Sequence, residues 1–378
     1  MPAFFASCSY FRKKTENFDF SARVSDGVLP LVRFIYVDGP TNGPPRSINL
    51  FCANTKRDHM TIGKNAKKSR IFRRLGISFQ TAAISGLSVF AAFVDPASAH
   101  EDITNAILTD RAANCTAYAD TYSAQATDVQ NAREFDASVS ISVSGDHCSI
   151  TSNAVPNHDF NATGRFVTPL SEQNQAYSVP ANPTLAAQPT ALSLQYDNAV
   201  FLNGVKLDLL AAGCFGVGNG RIGCNDMTAP YRYDPMAPGA GFGADEHNAH
   251  TQPDGAYHYH GNPMALFEQE NPTSASPVIG FAADGFPIFG IYIDDGGTIR
   301  KATSSYRLKI GTRPGGPGGT YDGTFVDDWE YVDGYGDLDR CNGMTQDGVY
   351  GYVVTETYPH VMACFSGTPD SSFMKRRP

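Results

Sequence analysis

The sequence predicts a mainly β fold of the β-rich α+β kind: a disulfide-stabilised, loop-heavy single domain built as a β-sandwich or a barrel-like sheet. Three observations lead there. Thirty-six Gly, 24 Pro and 18 Tyr against a single Trp suit turns and half-buried strands better than a helical bundle. Short apolar runs alternate with polar residues and are separated by Gly, Pro, Asn and Asp clusters. Beyond residue 100 stand six cysteines, Cys115, Cys148, Cys214, Cys224, Cys341 and Cys364, an even number that reads as up to three bridges. The hydrophobic content of 42% excludes bulk disorder.

Residues 1–59 read as a doubtful extension or a misassigned start ahead of Met60. Residues 60–99 have the layout of a secretory signal peptide: Lys64, Lys67, Lys68, Arg70, Arg73 and Arg74, then an apolar run, then Ala97-Ser98-Ala99. Cleavage there leaves no stable membrane span and sends the chain to the periplasm or the outside of the cell, where disulfides persist. Cys214 and Cys224 enclose a short Gly-rich loop and are the first choice for a pair. Proximity then suggests Cys115 with Cys148 and Cys341 with Cys364, although fifteen pairings exist in principle.

Residues 100–149 form an N-terminal helical and strand segment: Ala-rich sequence over 105–134 predicts one or two short helices, and Val139, Ile141 and Val143 alternate with Ser in a strand over 137–150. Further strands are expected at 191–194, 199–202, 256–260, 278–282, 288–293, 298–302 and 350–355.

Charge divides the chain. Residues 1–99 carry 14 basic and 6 acidic side chains, whereas residues 100–378 carry 15 and 32. So acidic a domain repels phosphate backbones, which excludes nucleic acid as a partner and leaves a small-molecule or extracellular-polymer substrate. The run Asp327, Asp328, Glu330, Asp333, Asp337 and Asp339 offers oxygen ligands for calcium but lacks the spacing of an EF-hand, so a solvated face explains it as well.

Four of the nine histidines fall between positions 247 and 260. In Tyr257-His258-Tyr259-His260 the period is two, so a strand projects both imidazoles from one face and both tyrosines from the other. Two imidazoles so placed reach one metal ion. His250 returns across a Pro253-Asp254-Gly255 turn as a third ligand, with His247, Asp254 and His158 as further candidates. Imidazole and carboxylate ligands suit zinc, copper or iron, and an open position would hold catalytic water. The same residues could instead form a hydrogen-bonded His/Tyr ladder that orders a loop. Asp284, in Asp284-Gly285-Phe286-Pro287 after an apolar strand, is a candidate ligand or general base, and equally a turn residue.

These motifs, in order, resemble the YHYH domain family. The likeness runs from Pro156-Asn157-His158 through His250 and Gly255-Ala256-Tyr257-His258-Tyr259-His260, then Ile279-Gly280-Phe281-Ala282-Ala283-Asp284-Gly285-Phe286-Pro287-Ile288. It continues through Tyr321-Asp322-Gly323-Thr324 and Cys341-Asn342-Gly343 to Cys364-Phe365-Ser366-Gly367-Thr368-Pro369. The resemblance implies an exported bacterial protein with a domain over 150–370, and implies no reaction. Arg340 stands where an acidic residue is expected and Phe289 where Tyr is common. His360 stands where Tyr is common and is not carried over as a ligand.

Two functional readings follow. In the first, the chain is an exported metal-binding protein, as a metal-dependent hydrolase or oxidase, with Asp284 as base. In the second, Tyr257 or Tyr259 with a His forms a metal-free acid–base pair acting on an extracellular polymer. A non-catalytic envelope or binding module fits the composition equally well.

Overall fold

A computed structural model of the chain describes residues 100–375, so the leader and the extension before it lie outside the described residues. The expected helices over 105–134 are replaced by one 3-10 turn, Cys115–Tyr118, and a nine-residue strand. Ala tolerates a helix, but Ala124, Ala126 and Asp128 are buried at alternate positions, and pairing along the whole strand outweighs a small intrinsic preference. That strand, β2 (Asp120–Asp128), follows the short β1 (Glu101–Asp102). Next come β3 (Arg133–Ser144), β4 (His147–Ser152) and β5 (Gln175–Pro180), giving a five-stranded sheet in sequential order.

After β6 (Thr190–Ala191) the chain builds a larger sheet. Its strands are β7 (Ala199–Phe201), β8 (Lys206–Leu207), β9 (Ala249–Thr251), β10 (Tyr257–Tyr259), β11 (Val278–Ala282) and β12 (Pro287–Phe289). Two hairpins follow, β13 (Tyr292–Asp295) with β14 (Thr298–Lys301) and β15 (Tyr306–Leu308) with β16 (Trp329–Tyr331). Then β17 (Gly343–Gln346) and β18 (Val349–Val353) complete the large sheet, and β19 (Cys364–Phe365) pairs with β6. The order is β17-β18-β12-β11-β7-β8-β10-β9.

This sheet is open, so the barrel-like alternative does not form: among the described residues β17 and β9 are its edges. The expected strand over 288–293 is split at Gly290, where an added Cβ would come within 2.6 Å of the Phe267 ring. Both sheets feed one core. Phe135 packs on Phe160, Phe160 on Tyr257, and Tyr118 on Phe281. Three disulfides, Cys115–Cys148, Cys214–Cys224 and Cys341–Cys364, pin the loops as the spacing suggested. Among the described residues, no helix is long and apolar enough to cross a membrane.

Candidate metal centre

The hairpin β9–β10 brings the histidines together. Gln252 and Ala256 bond across the turn, the Asp254 carboxylate accepts from the Ala256 amide, and Gly255 sits at φ +84. A side chain at Gly255 would also meet Ser171 and the Pro169 carbonyl at 2.9–3.0 Å, so both conformation and space require glycine. The register sets His258 opposite His250 and Tyr257 opposite Thr251. On the other side β8 runs parallel, with Lys206 beside His258 and Leu207 beside Tyr259. One face of this three-strand patch is therefore imidazole and charge, and the other is aromatic and aliphatic.

His250, His258 and His260 converge, with one ring nitrogen from each lying within 4.8 Å of the others. With its Nδ1 proton turned to a carbonyl, His250 accepts at Nε2 a hydrogen bond from His260 Nε2 at 3.0 Å. Ligands about 2.1 Å from a tetrahedral ion are about 3.4 Å from one another, so small ring movements suffice to gather the three. Nδ1 of His250 donates to the Phe242 carbonyl, and Nδ1 of His258 donates to the Ala256 carbonyl at 3.3 Å, which turns both Nε2 lone pairs inward. Nδ1 of His260 is buried with no hydrogen-bond partner. Burial, reinforced by mutual repulsion, lowers the pKa values of His258 and His260 well below the usual value, and burial lowers that of His250. Three neutral imidazoles are the form that binds metal.

The charge beside them was missed in the sequence. Lys206 meets Asp197 at 3.1 Å and donates to Gln252 at 3.0 Å, while Gln252 and Lys375 both donate to Asp208. Asp208 Oδ1 is buried without a hydrogen bond, and burial raises its pKa. The signal was the pattern Val205-Lys206-Leu207-Asp208, which alternates as a strand with charge on one face.

The remaining candidates lie elsewhere. Tyr257 and Tyr259 are fully buried on the opposite face. Tyr257 donates to Asp245 at 2.9 Å; Tyr259 donates to His158 Nε2 at 2.8 Å and accepts from Asn203. His158 is thus behind the strand, its ring centroid 4.1 Å from that of His247, and neither ring belongs to the converging trio. Asp254 serves the turn. Asp284 is 2% exposed in the β11–β12 turn, where Oδ2 accepts from the Tyr352 hydroxyl at 2.6 Å and the Gly367 amide at 2.8 Å. Several of the acidic side chains at 327–339 are similarly engaged: Asp328 with Arg313, Asp337 with Arg300, and Asp339 with the Tyr350 hydroxyl.

Fold and cluster define a disulfide-stapled β protein with a histidine triplet at a hairpin, two of its rings buried and His250 half-buried. The chain belongs to the YHYH family, whose model, described as "YHYH protein", matches residues 176–367. Comparisons with curated proteins and with solved structures returned no match.

Proposed function

We propose that this chain is an exported metal-binding protein in which His250, His258 and His260 hold one divalent ion of the zinc, copper or iron class. The observation that carries the reading is the convergence of three neutral imidazoles, two of them oriented by backbone carbonyls. Such a set, buried empty, leaves His260 Nδ1 without a partner, a cost that an ion bound through that nitrogen would offset. Three protein ligands leave a fourth position for water, the layout of catalytic rather than closed structural sites. On that ground metal-dependent hydrolysis is the activity the site best supports, with oxidation open to a copper or iron occupant. Three disulfides and the basic, apolar, small-residue leader support export.

Elemental analysis of the purified protein beside His258→Ala/His260→Ala tests the reading. Near-stoichiometric zinc, copper or iron in the first and none in the second is expected. No ion in either, even after incubation with each metal, would overturn it. The Tyr259–His158 bond is the Tyr/His contact that the acid–base alternative requires, but both side chains are buried in the core and burial pushes the phenol well above its usual pKa.

A further inference from the structure

Away from the histidines, the loop closed by Cys214–Cys224 forms one wall of a polar cavity of about 240 Å³. We propose that this cavity is a binding site for a small oxyanion, the carboxylate or phosphate group of a small molecule, with Arg221 as its anchor. The inference stands independently of the metal reading.

The lining includes Asn219, Arg221, Tyr233, Gly239 and Thr324, and it contains no Asp or Glu. In a region with 32 acidic and 15 basic residues, a concave surface with a guanidinium and no carboxylate runs against the general charge. Arg300, Arg307 and Arg313 are committed to Asp337, Glu330 and Asp328 respectively. Among the described residues the Arg221 guanidinium makes no hydrogen bond or ion pair; its contact is with the Phe242 ring, 5.8 Å from the centroid. Its planar fork of donors is therefore available to an oxyanion, the geometry it matches best.

The anchor is also held in place. The Arg221 amide donates to Asn219 Oδ1 at 3.0 Å, and the Gly220 and Cys224 amides bond back to Val217 and Ala212. Gly241, at φ +67, leaves room for the guanidinium; an added Cβ would come within 2.8 Å of it. The exposed guanidinium lies within cation–π reach of Phe242, on a loop whose backbone is clasped by a disulfide. The Asn219 amide and the Tyr233 ring supply a further polar contact and a flat wall. The volume is below the range of drug-sized pockets and suits a small molecule.

Calorimetry on the metal-free full chain with its disulfides intact, at low ionic strength, tests this with acetate, inorganic phosphate and glucuronate as probes. Saturable binding of at least one probe is expected, and the preferred probe separates a carboxylate from a phosphate ligand. Arg221→Ala should weaken it about 10- to 100-fold, the loss expected for a charge-assisted contact. Arg221→Lys should recover part of the affinity, because it keeps the charge and loses the fork. Arg340→Ala, which removes an exposed positive charge elsewhere, should bind as the parent does. Failure of the parent to bind any probe, or equal binding by Arg221→Ala, would overturn the proposal.

Discussion

Two polar clusters lie on the same eight-stranded sheet, and they are equally buried: Asp284 is 2% exposed, His258 2% and His260 4%. They differ in how their atoms are partnered. Around Asp284 the bonds close on themselves: Oδ2 takes the Tyr352 hydroxyl and the Gly367 amide, the Phe286 amide points at Oδ1, and the Tyr352 oxygen accepts in turn from the Ser366 amide. At the other end, His260 Nδ1 and Asp208 Oδ1 are buried with no hydrogen bond, and three imidazoles face one another. Burial alone does not mark a binding site. A satisfied network holds the fold, and an unsatisfied one leaves room for a ligand to complete it.

The largest expected effect that would sharpen this contrast is at Asp284. Asp284→Ala strands a buried hydroxyl and a buried amide, and should lower unfolding stability in urea by about 4 kcal/mol. A loss under about 1 kcal/mol would contradict the structural role. Next comes acid sensitivity. Burial holds His158 at about 4, against a usual 6.5, so between those values the unfolded chain takes up a proton that the folded protein refuses. Stability should therefore fall as pH drops through that window, by up to about 3 kcal/mol from this one ring. His158→Gln should flatten that stretch of the pH–stability curve, and an unchanged slope would assign the titration to the histidine triplet. The smallest effect belongs to the triplet without metal. His258→Ala/His260→Ala loses packing and the His250–His260 hydrogen bond but also removes an unpartnered nitrogen, so a net change of about 1 kcal/mol is expected in metal-free protein. Unfolding of that variant would make the histidines a scaffold and erase the distinction between the clusters.

The sequence was readable where a local pattern suffices. The period of two in residues 257–260 placed imidazoles and phenols on opposite faces, and the Pro253-Asp254-Gly255 turn returned His250, both as the structure has them. Residues 278–282 are the expected strand, and the cysteine pairs are the ones that proximity suggested among fifteen possibilities. What escaped depends on contacts distant in sequence. Lys375 joins Asp208 across 167 positions. Asp284 is tied to Gly367, 83 positions away, and no motif around either residue announces the bond. The Arg221 cavity depends on a loop some twenty residues further on and on Thr324, so spacing alone does not reveal it.

The β4–β5 ladder has a bearing on how this protein can be handled. Strand β5 begins at Gln175, beside the start of the family match, and its pairing with β4 runs from His147–Pro180 to Ser152–Gln175. Excising residues 176–367 would leave that strand a bare edge, a template for another chain to add to, and would remove His158 from behind the histidine strand. The stretch that defines kinship is thus shorter than the piece that can stand alone, and the preceding sheet acts as an intramolecular guard against aggregation.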